Sequence, residues 1–260
     1  MISRQGFLSK IISGRKIYIF SSLLFMTFSA FTQSPGEIPK TMVSGEAVKD
    51  ADNNLYIIVK LGDQIWMAEN LKTTKYKDGT AIPFVTGNKA WSEMTTPGYC
   101  WYNNNEGSNR YKHGALYNWY TVNTGNLCPD GWHVPKDEDW AILEKYLNAS
   151  GYDFEGIING NKLGKSFASA YGWISSKNTG AVGNTDYSGK RNSTGFTALP
   201  GGYRYNNGVF HGDGSHCCWW YSKEYDTESA WGRNLLYFYD SVHKGISSKK
   251  NGFSVRCLKD

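Results

Sequence analysis

After residue 32 the sequence has no further apolar run long enough to span a bilayer, no repeat of solenoid period and almost no excess charge of either sign. Of its 28 Lys and Arg, four (Arg4, Lys10, Arg15 and Lys16) stand in the first 32 residues, where there is no acid. Removing those four leaves 24 cations against 23 Asp and Glu, so the whole-chain charge of +5 falls to +1. A nucleic-acid partner thereby loses its electrostatic support. Also missing are a Gly-x-Ser-x-Gly elbow, a His-Glu-x-x-His helix and a Cys-x-x-Cys pair. Isolated Asp and Glu are present, but no pattern fixes their separation as an acid and base pair would require.

The absence of a cysteine just after the apolar run at 17–31 argues against a lipoprotein anchor. With cations before that run and small polar residues after it, residues 1–32 read as a signal peptide. An uncleaved anchor helix is disfavoured because the run is short and contains Ser21, Ser22, Thr27 and Ser29. Residues 33–49 read as a polar linker, and 50–260 as one domain of about 210 residues, enough for a full-sized core. The expected location is secreted, periplasmic or on the outer bacterial surface, with no stable membrane span after cleavage. All five cysteines, Cys100, Cys128, Cys217, Cys218 and Cys257, lie in the exported part, where disulfides persist; the odd number leaves at least one unpaired within the chain.

Aromatic residues make up 15% of the chain, with 10 Trp, 18 Tyr and 29 Gly, which predicts many short strands and turns rather than a bundle. Residues 55–67 read as two strands joined at Gly62-Asp63, a glycine-first pair suited to a hairpin. Residues 99–102 read as a short strand. The Asn-rich segment 103–109 offers oxygens for Ca²⁺ but lacks the spacing of a known loop motif, so it reads as a solvated turn. Residues 114–122 place Leu116, Trp119 and Tyr120 on one side, as a short core helix would. After Pro135 a second helix sets Trp140, Leu143 and Leu147 on one face, and Asp137, Glu138 and Asp139 crowd its first turn, where they oppose the helix dipole. Trp132, Trp140 and Phe253 are expected in the core. Short strands are expected at 196–199, 202–205, 219–222, 231–239 and 253–258. A hairpin, two helices and then a run of strands make the fold class α+β.

Five ordered segments carry a resemblance: Trp-Met-Ala-Glu-Asn-Leu at 66–71, Cys-Pro-Asp-Gly-Trp-His-Val-Pro at 128–135, Gly-Phe-Thr-Ala-Leu-Pro-Gly-Gly-Tyr-Arg at 195–204, Trp-Trp-Tyr-Ser at 219–222 and Asn-Gly-Phe-Ser-Val-Arg-Cys at 251–257. Together they resemble the Fibrobacter succinogenes major paralogous domain family, which looks like a branch of the C-type-lectin-like and formylglycine-generating-enzyme-like superfamily. The resemblance implies a C-type-lectin-like body of two helices on short mixed or antiparallel strands with long loops. It also implies a secreted or cell-surface setting, and a disulfide between Cys128 and Cys257 joining the two ends of the fold. Two departures stand out: no second cysteine follows shortly after Cys100, the region before the first helix reading Ser-Asn-Arg-Tyr-Lys at 108–112, and Lys136 replaces a small capping residue.

The activities of the wider superfamily do not carry over. No cysteine occurs at 231–251, where the formylglycine-generating branch holds its redox pair, and neither the Glu-Pro-Asn nor the Gln-Pro-Asp triplet of Ca²⁺-dependent sugar binding is present. Residues 160–166 resemble a P-loop but are one residue short and follow no apolar strand, so they read as an ordinary loop. Two groups remain. His211, His216, Cys217 and Cys218, with a carboxylate between, are the residue types that hold zinc or copper, although adjacent thiols strain a shared tetrahedral site and a glycine-rich hairpin with oxidised or buried cysteines explains them better. Tyr203, Arg204, Trp219, Trp220, Tyr221 and Trp231 offer flat rings and directional donors to a glycan or an envelope protein, if one strand face is exposed. The leading expectation is a non-catalytic surface binding domain without a cofactor. The alternative is an exported metal- or thiol-dependent enzyme using residues 211–218, with zinc or calcium as its metal.

Overall fold

A computed structural model describes residues 42–158 and 160–260. The leader expected over 1–32 lies outside the described residues, as does the first part of the expected linker. The rest of that linker is ordered: Met42–Lys49 forms β1, paired antiparallel with β2 (Leu55–Leu61). Its mixed sequence gives no alternation signal, because it is an edge strand that needs only the backbone hydrogen bonds of its neighbour. β2 turns at Gly62-Asp63 into β3 (Gln64–Met67), as expected, and Gly62 takes the left-handed φ of 63° that favours glycine.

The chain continues through α1 (Asn88–Glu93), β4 (Tyr99–Cys100), α2 (Glu106–Asn109), β5 (Leu116–Tyr117), α3 (Trp119–Val122), β6 (Trp132–His133), α4 (Asp137–Ala149) and α5 (Gly164–Phe167). Five further strands follow: β7 (Gly201–Arg204), β8 (Phe210–Asp213), β9 (His216–Glu224), β10 (Ser229–Leu236) and β11 (His243–Ser248). β12 (Leu258–Lys259) closes the chain. One five-stranded sheet runs β1-β2-β3-β12-β6 and another β11-β10-β9-β7-β8, with β4 and β5 forming a small pair. The class is α+β, dominated by mixed sheets. No helix among the described residues is long and apolar enough to cross a membrane.

The two helices expected reduce to one of substantial length. Residues 114–122 do not form a continuous helix: Leu116 and Tyr117 pair with Cys100 and Tyr99, and only one turn follows. The switch comes at Asn118, whose Oδ1 accepts the Thr121 N–H at 3.1 Å and so starts α3 late. In α4 the expected face is buried, with Trp140, Leu143 and Leu147 all at 1% exposure or less. Lys136 offers no side-chain cap; instead Asp139 Oδ2 accepts the Lys136 N–H at 2.8 Å, half of a capping box. Of the expected core residues, Trp140 and Phe253 are buried, while Trp132 is half-buried against the core.

β9 is the wall between two cores. Cys217, Trp219 and Tyr221 face a cluster with Trp66, Trp140, Phe167 and Phe196, while Cys218 and Trp220 face another with Tyr117, Trp119 and Phe253. Residues 196–199 form only an isolated bridge, Ala168 with Ala198, rather than a strand. The disulfide between Cys128 and Cys257 is present, with a Cα separation of 6.0 Å across 129 residues of chain.

Candidate functional site

The six aromatic and Arg residues expected at a binding rim do not form one. Arg204, Trp219, Trp220 and Tyr221 are each at most 1% exposed. Strand alternation sends the three β9 rings into two opposed cores, because each face of β9 packs against its own hydrophobic cluster. Arg204 is structural: it donates to the carbonyls of Gly208, Val85 and Thr86 at 2.6–2.8 Å and lies 4.4 Å from the Trp91 ring centroid. Tyr203 and Trp231 are half-buried against different clusters, and Trp231 is covered by Lys244, 4.2 Å from its ring centroid.

The metal-type cluster is split: His211 and His216 both pack on Tyr203, and Cys218 lines the same concave surface as His216, but Cys217 faces the opposite core. Cys217 and Cys218 point to opposite faces of β9, and β8 pairs with β7 rather than folding back on β9 as a hairpin. Among the described residues no group of three or more His, Cys, Asp or Glu is arranged to hold a metal ion. The segment 103–109 is likewise a turn and short helix, in which Asn105 Oδ1 caps the Ser108 N–H. Burial pushes the Cys218 thiol up to about 12 and Cys217 well above its ordinary value, so neither supplies a thiolate at neutral pH. Cys100, also without a partner, is buried and pushed up to about 12 despite the nearby Arg204. Alkylation of the unreduced native protein is therefore expected to leave all three thiols unmodified, and denaturant should expose three. A thiol labelled rapidly in the native state would contradict this burial.

The loop resembling a P-loop has its own explanation. Lys165 is fully buried, with its Nζ 2.7 Å from Asp186 and donating to the carbonyls of Ala181 and Asn184. That lysine ties loops together and has no donor left for a phosphate.

Two of the concave surfaces among the described residues bear on these candidates. One, of about 270 Å³, is lined by Tyr203, Tyr205, His216, Asn234 and Asn251, with His211 beside Tyr203. The other, a cleft of about 230 Å³, is less open and gathers residues from widely separated segments. Ile57 comes from β2, Glu69, Asn70 and Lys72 from the segment after β3, and Tyr111, Lys112 and Gly114 from the polar turn before β5. Arg110, Tyr171, Thr197, Leu199 and Arg256 also line it.

The floor of this cleft is a network. Asn70 Oδ1 accepts from Trp219 Nε1 and from Arg256, both at 2.9 Å, and its Nδ2 donates to the His113 carbonyl at 2.9 Å. Arg256 also donates to the Phe196 carbonyl and lies 4.1 Å from that ring's centroid. Three of the five recognised segments meet here directly through Asn70, Trp219 and Arg256, with Phe196 supplying a fourth. Burial lowers the Arg256 pKa to about 10, against the opposing fields of Cys217 and Glu69, which leaves the guanidinium charged at neutral pH. Gly114 must be glycine: its φ is 75°, and a Cβ would stand 2.7 Å from the Leu71 carbonyl oxygen. Thr197 holds a φ of 55°, an uncommon strain for a β-branched residue, fixed by its N–H donating to Asn192 Oδ1 at 2.8 Å.

The rim is aromatic and cationic. Tyr111 is 76% exposed and Tyr171 63%, and the Arg110 guanidinium lies 5.8 Å from the Tyr111 ring centroid. Neither tyrosine was singled out from sequence, since both sit in polar turns without periodicity. The available signal was the Arg-Tyr-Lys triplet, a ring between two cations.

His113, beneath the cleft, is 4% exposed; burial first and Lys112 second lower its pKa to about 4, with Asp213 opposing. A histidine whose folded pKa lies below its unfolded value of 6.5 contributes stability that is present above 6.5 and lost as pH falls toward 4. Across that window the chain is expected to lose up to roughly 3 kcal/mol from this group. His113→Gln should flatten the profile, as read by urea midpoints at pH 7 and pH 4.5. An unchanged slope would refute the assignment.

The molecule is thus an α+β domain of two five-stranded sheets, tied across its length by one disulfide and carrying an open cleft built from its own sequence motifs. The Fibrobacter succinogenes major domain family matches residues 59–259, and the chain belongs to that family. No curated protein and no solved structure matches it.

Proposed function

We propose that this chain is an exported, non-catalytic domain that binds a glycan at the bacterial surface through the cleft between Tyr111, Tyr171 and Arg256. The observation that carries this reading is the pair of exposed tyrosines on the rim of a mainly apolar cleft whose floor places Asn70 and Arg256. Exposed flat rings stack on the apolar faces of sugars, and fixed donors beneath them select hydroxyl positions. The scaffold reads as C-type-lectin-like, supported by a sheet that sets the amino-terminal hairpin beside the closing strand β12. Export, to the periplasm or beyond, is supported by a disulfide, which persists only in an oxidising compartment. The metal- or thiol-enzyme alternative has less support, because Cys217 faces away from Cys218 and both thiols are buried.

A glycan array probed with the wild-type chain and with Tyr111→Ala and Tyr171→Ala tests this reading. The wild type should retain a defined set of saccharides, and each variant should lose about tenfold in affinity, the equivalent of one stacking contact. Retention of no saccharide, or equal retention by both variants, overturns it; capture of an envelope protein instead would reassign the cleft to a protein partner.

A further inference from the structure

Charge within the cleft is uneven in a chain that is otherwise balanced. Lys72, Arg110, Lys112 and Arg256 line it against one acid, Glu69. Two of these cations are neutralised: Lys72 lies 2.8 Å from Glu69, and Arg110 lies 2.6 Å from Glu106. Lys112 and Arg256 have no carboxylate within ion-pair distance among the described residues. Glu69 acts on Arg256 through its field, but its oxygens are engaged by Lys72 and by the Ile57 N–H at 3.2 Å.

Arg256 is the stronger observation. At 2% exposure it is a buried cation, a state that folded proteins normally compensate with a carboxylate. Here the guanidinium is offered only neutral acceptors, the Phe196 carbonyl and Asn70 Oδ1, and two rings, Phe196 and Trp219, at 4.1 and 5.5 Å. Its Nε has no hydrogen-bond partner. Arg204, the other deeply buried arginine, differs in that all three of its nitrogens are engaged and it lines neither concave surface described above. The charge cannot be put down to composition, because beyond residue 32 the chain carries only one net positive charge.

Resting on the glycan reading of this cleft, we infer that its ligand is an acidic saccharide. An anionic oxygen group, carboxylate or sulfate, sits between Lys112 on the rim and Arg256 in the floor, while a sugar ring stacks on Tyr111 or Tyr171. An anion supplies the counter-charge that the protein withholds, and a planar guanidinium suits carboxylate and sulfate oxygens better than it suits a hydroxyl.

The test is an array carrying uronate, sialylated and sulfated saccharides beside their neutral parents, read at about 50 and 300 mM NaCl, with oligogalacturonate and its methyl ester compared by calorimetry. The expected result is a retained set that is acidic. A bound acid should outbind its esterified or desulfated form by about tenfold or more, weaken with salt, and lose about threefold in Lys112→Gln, whose exposed site leaves the fold intact. Uronate against sulfate in the retained set assigns the anion. A retained set that is neutral, still weakened by Tyr111→Ala, overturns this inference and leaves the cleft reading standing. An empty array overturns both.

Discussion

Trp140→Ala is expected to lower stability by about 3–5 kcal/mol, the range for truncating a buried indole where the surroundings cannot collapse. The ring is 1% exposed and its centroid lies within 6.3 Å of those of Trp66, Phe167, Phe196, Trp219 and Tyr221, so five aromatic neighbours lose contacts at once. These neighbours come from β3, α5, the 196–199 segment and β9, elements held apart by the indole. Its Nε1 has no hydrogen-bond partner, so Trp140→Phe removes an unsatisfied donor and partly offsets its own packing loss. The alanine variant should therefore show a much lower urea midpoint at unchanged slope, with phenylalanine closer to wild type. Equal losses in the two variants would mean that the N–H, not the ring volume, matters at this site.

Removing the disulfide has an effect of comparable size. Bridging 129 residues restricts the unfolded chain by roughly 5 kcal/mol in the chain-entropy picture, and loss of a native disulfide typically costs about 2–5 kcal/mol. Position 257 is also a backbone node: its carbonyl accepts the Met67 N–H at 3.0 Å, and the neighbouring Val255 carbonyl accepts the Leu71 N–H at 2.8 Å. The bridge thus anchors the segment that carries Asn70 and Arg256. Cys257→Ser, or wild type in strong reductant, should unfold at markedly lower temperature and bind its saccharide more weakly even while folded. Unaltered thermal midpoints with and without reductant would show that the hydrophobic cores alone hold the two ends together.

Much of the scaffold was legible because local signals were unambiguous. α4 declared itself through Trp140, Leu143 and Leu147 and its acidic first turn, and the β2–β3 hairpin through Gly62-Asp63. β1, β8 and β11 were not legible, since all three are edge strands whose mixed sequences have little to bury. The site failed for a related reason. The rim expected at Trp219–Tyr221 requires one exposed strand face, whereas the unbroken apolar run Cys-Cys-Trp-Trp-Tyr at 217–221 is the signature of a strand covered on both faces. Tyr111 and Tyr171 were passed over because loops carry no period, and only the chain's return at residue 256 shows that an arginine in a recognised motif underlies them.

Amide hydrogen exchange with and without the tightest-binding saccharide of the array tests most directly whether the cleft is the binding site. The account predicts slowed exchange at 68–72, 110–114 and 197–199, three of the segments that build it. Slowing confined to 203–218, around Tyr203 and His216, would place the ligand on the other concave surface and contradict it.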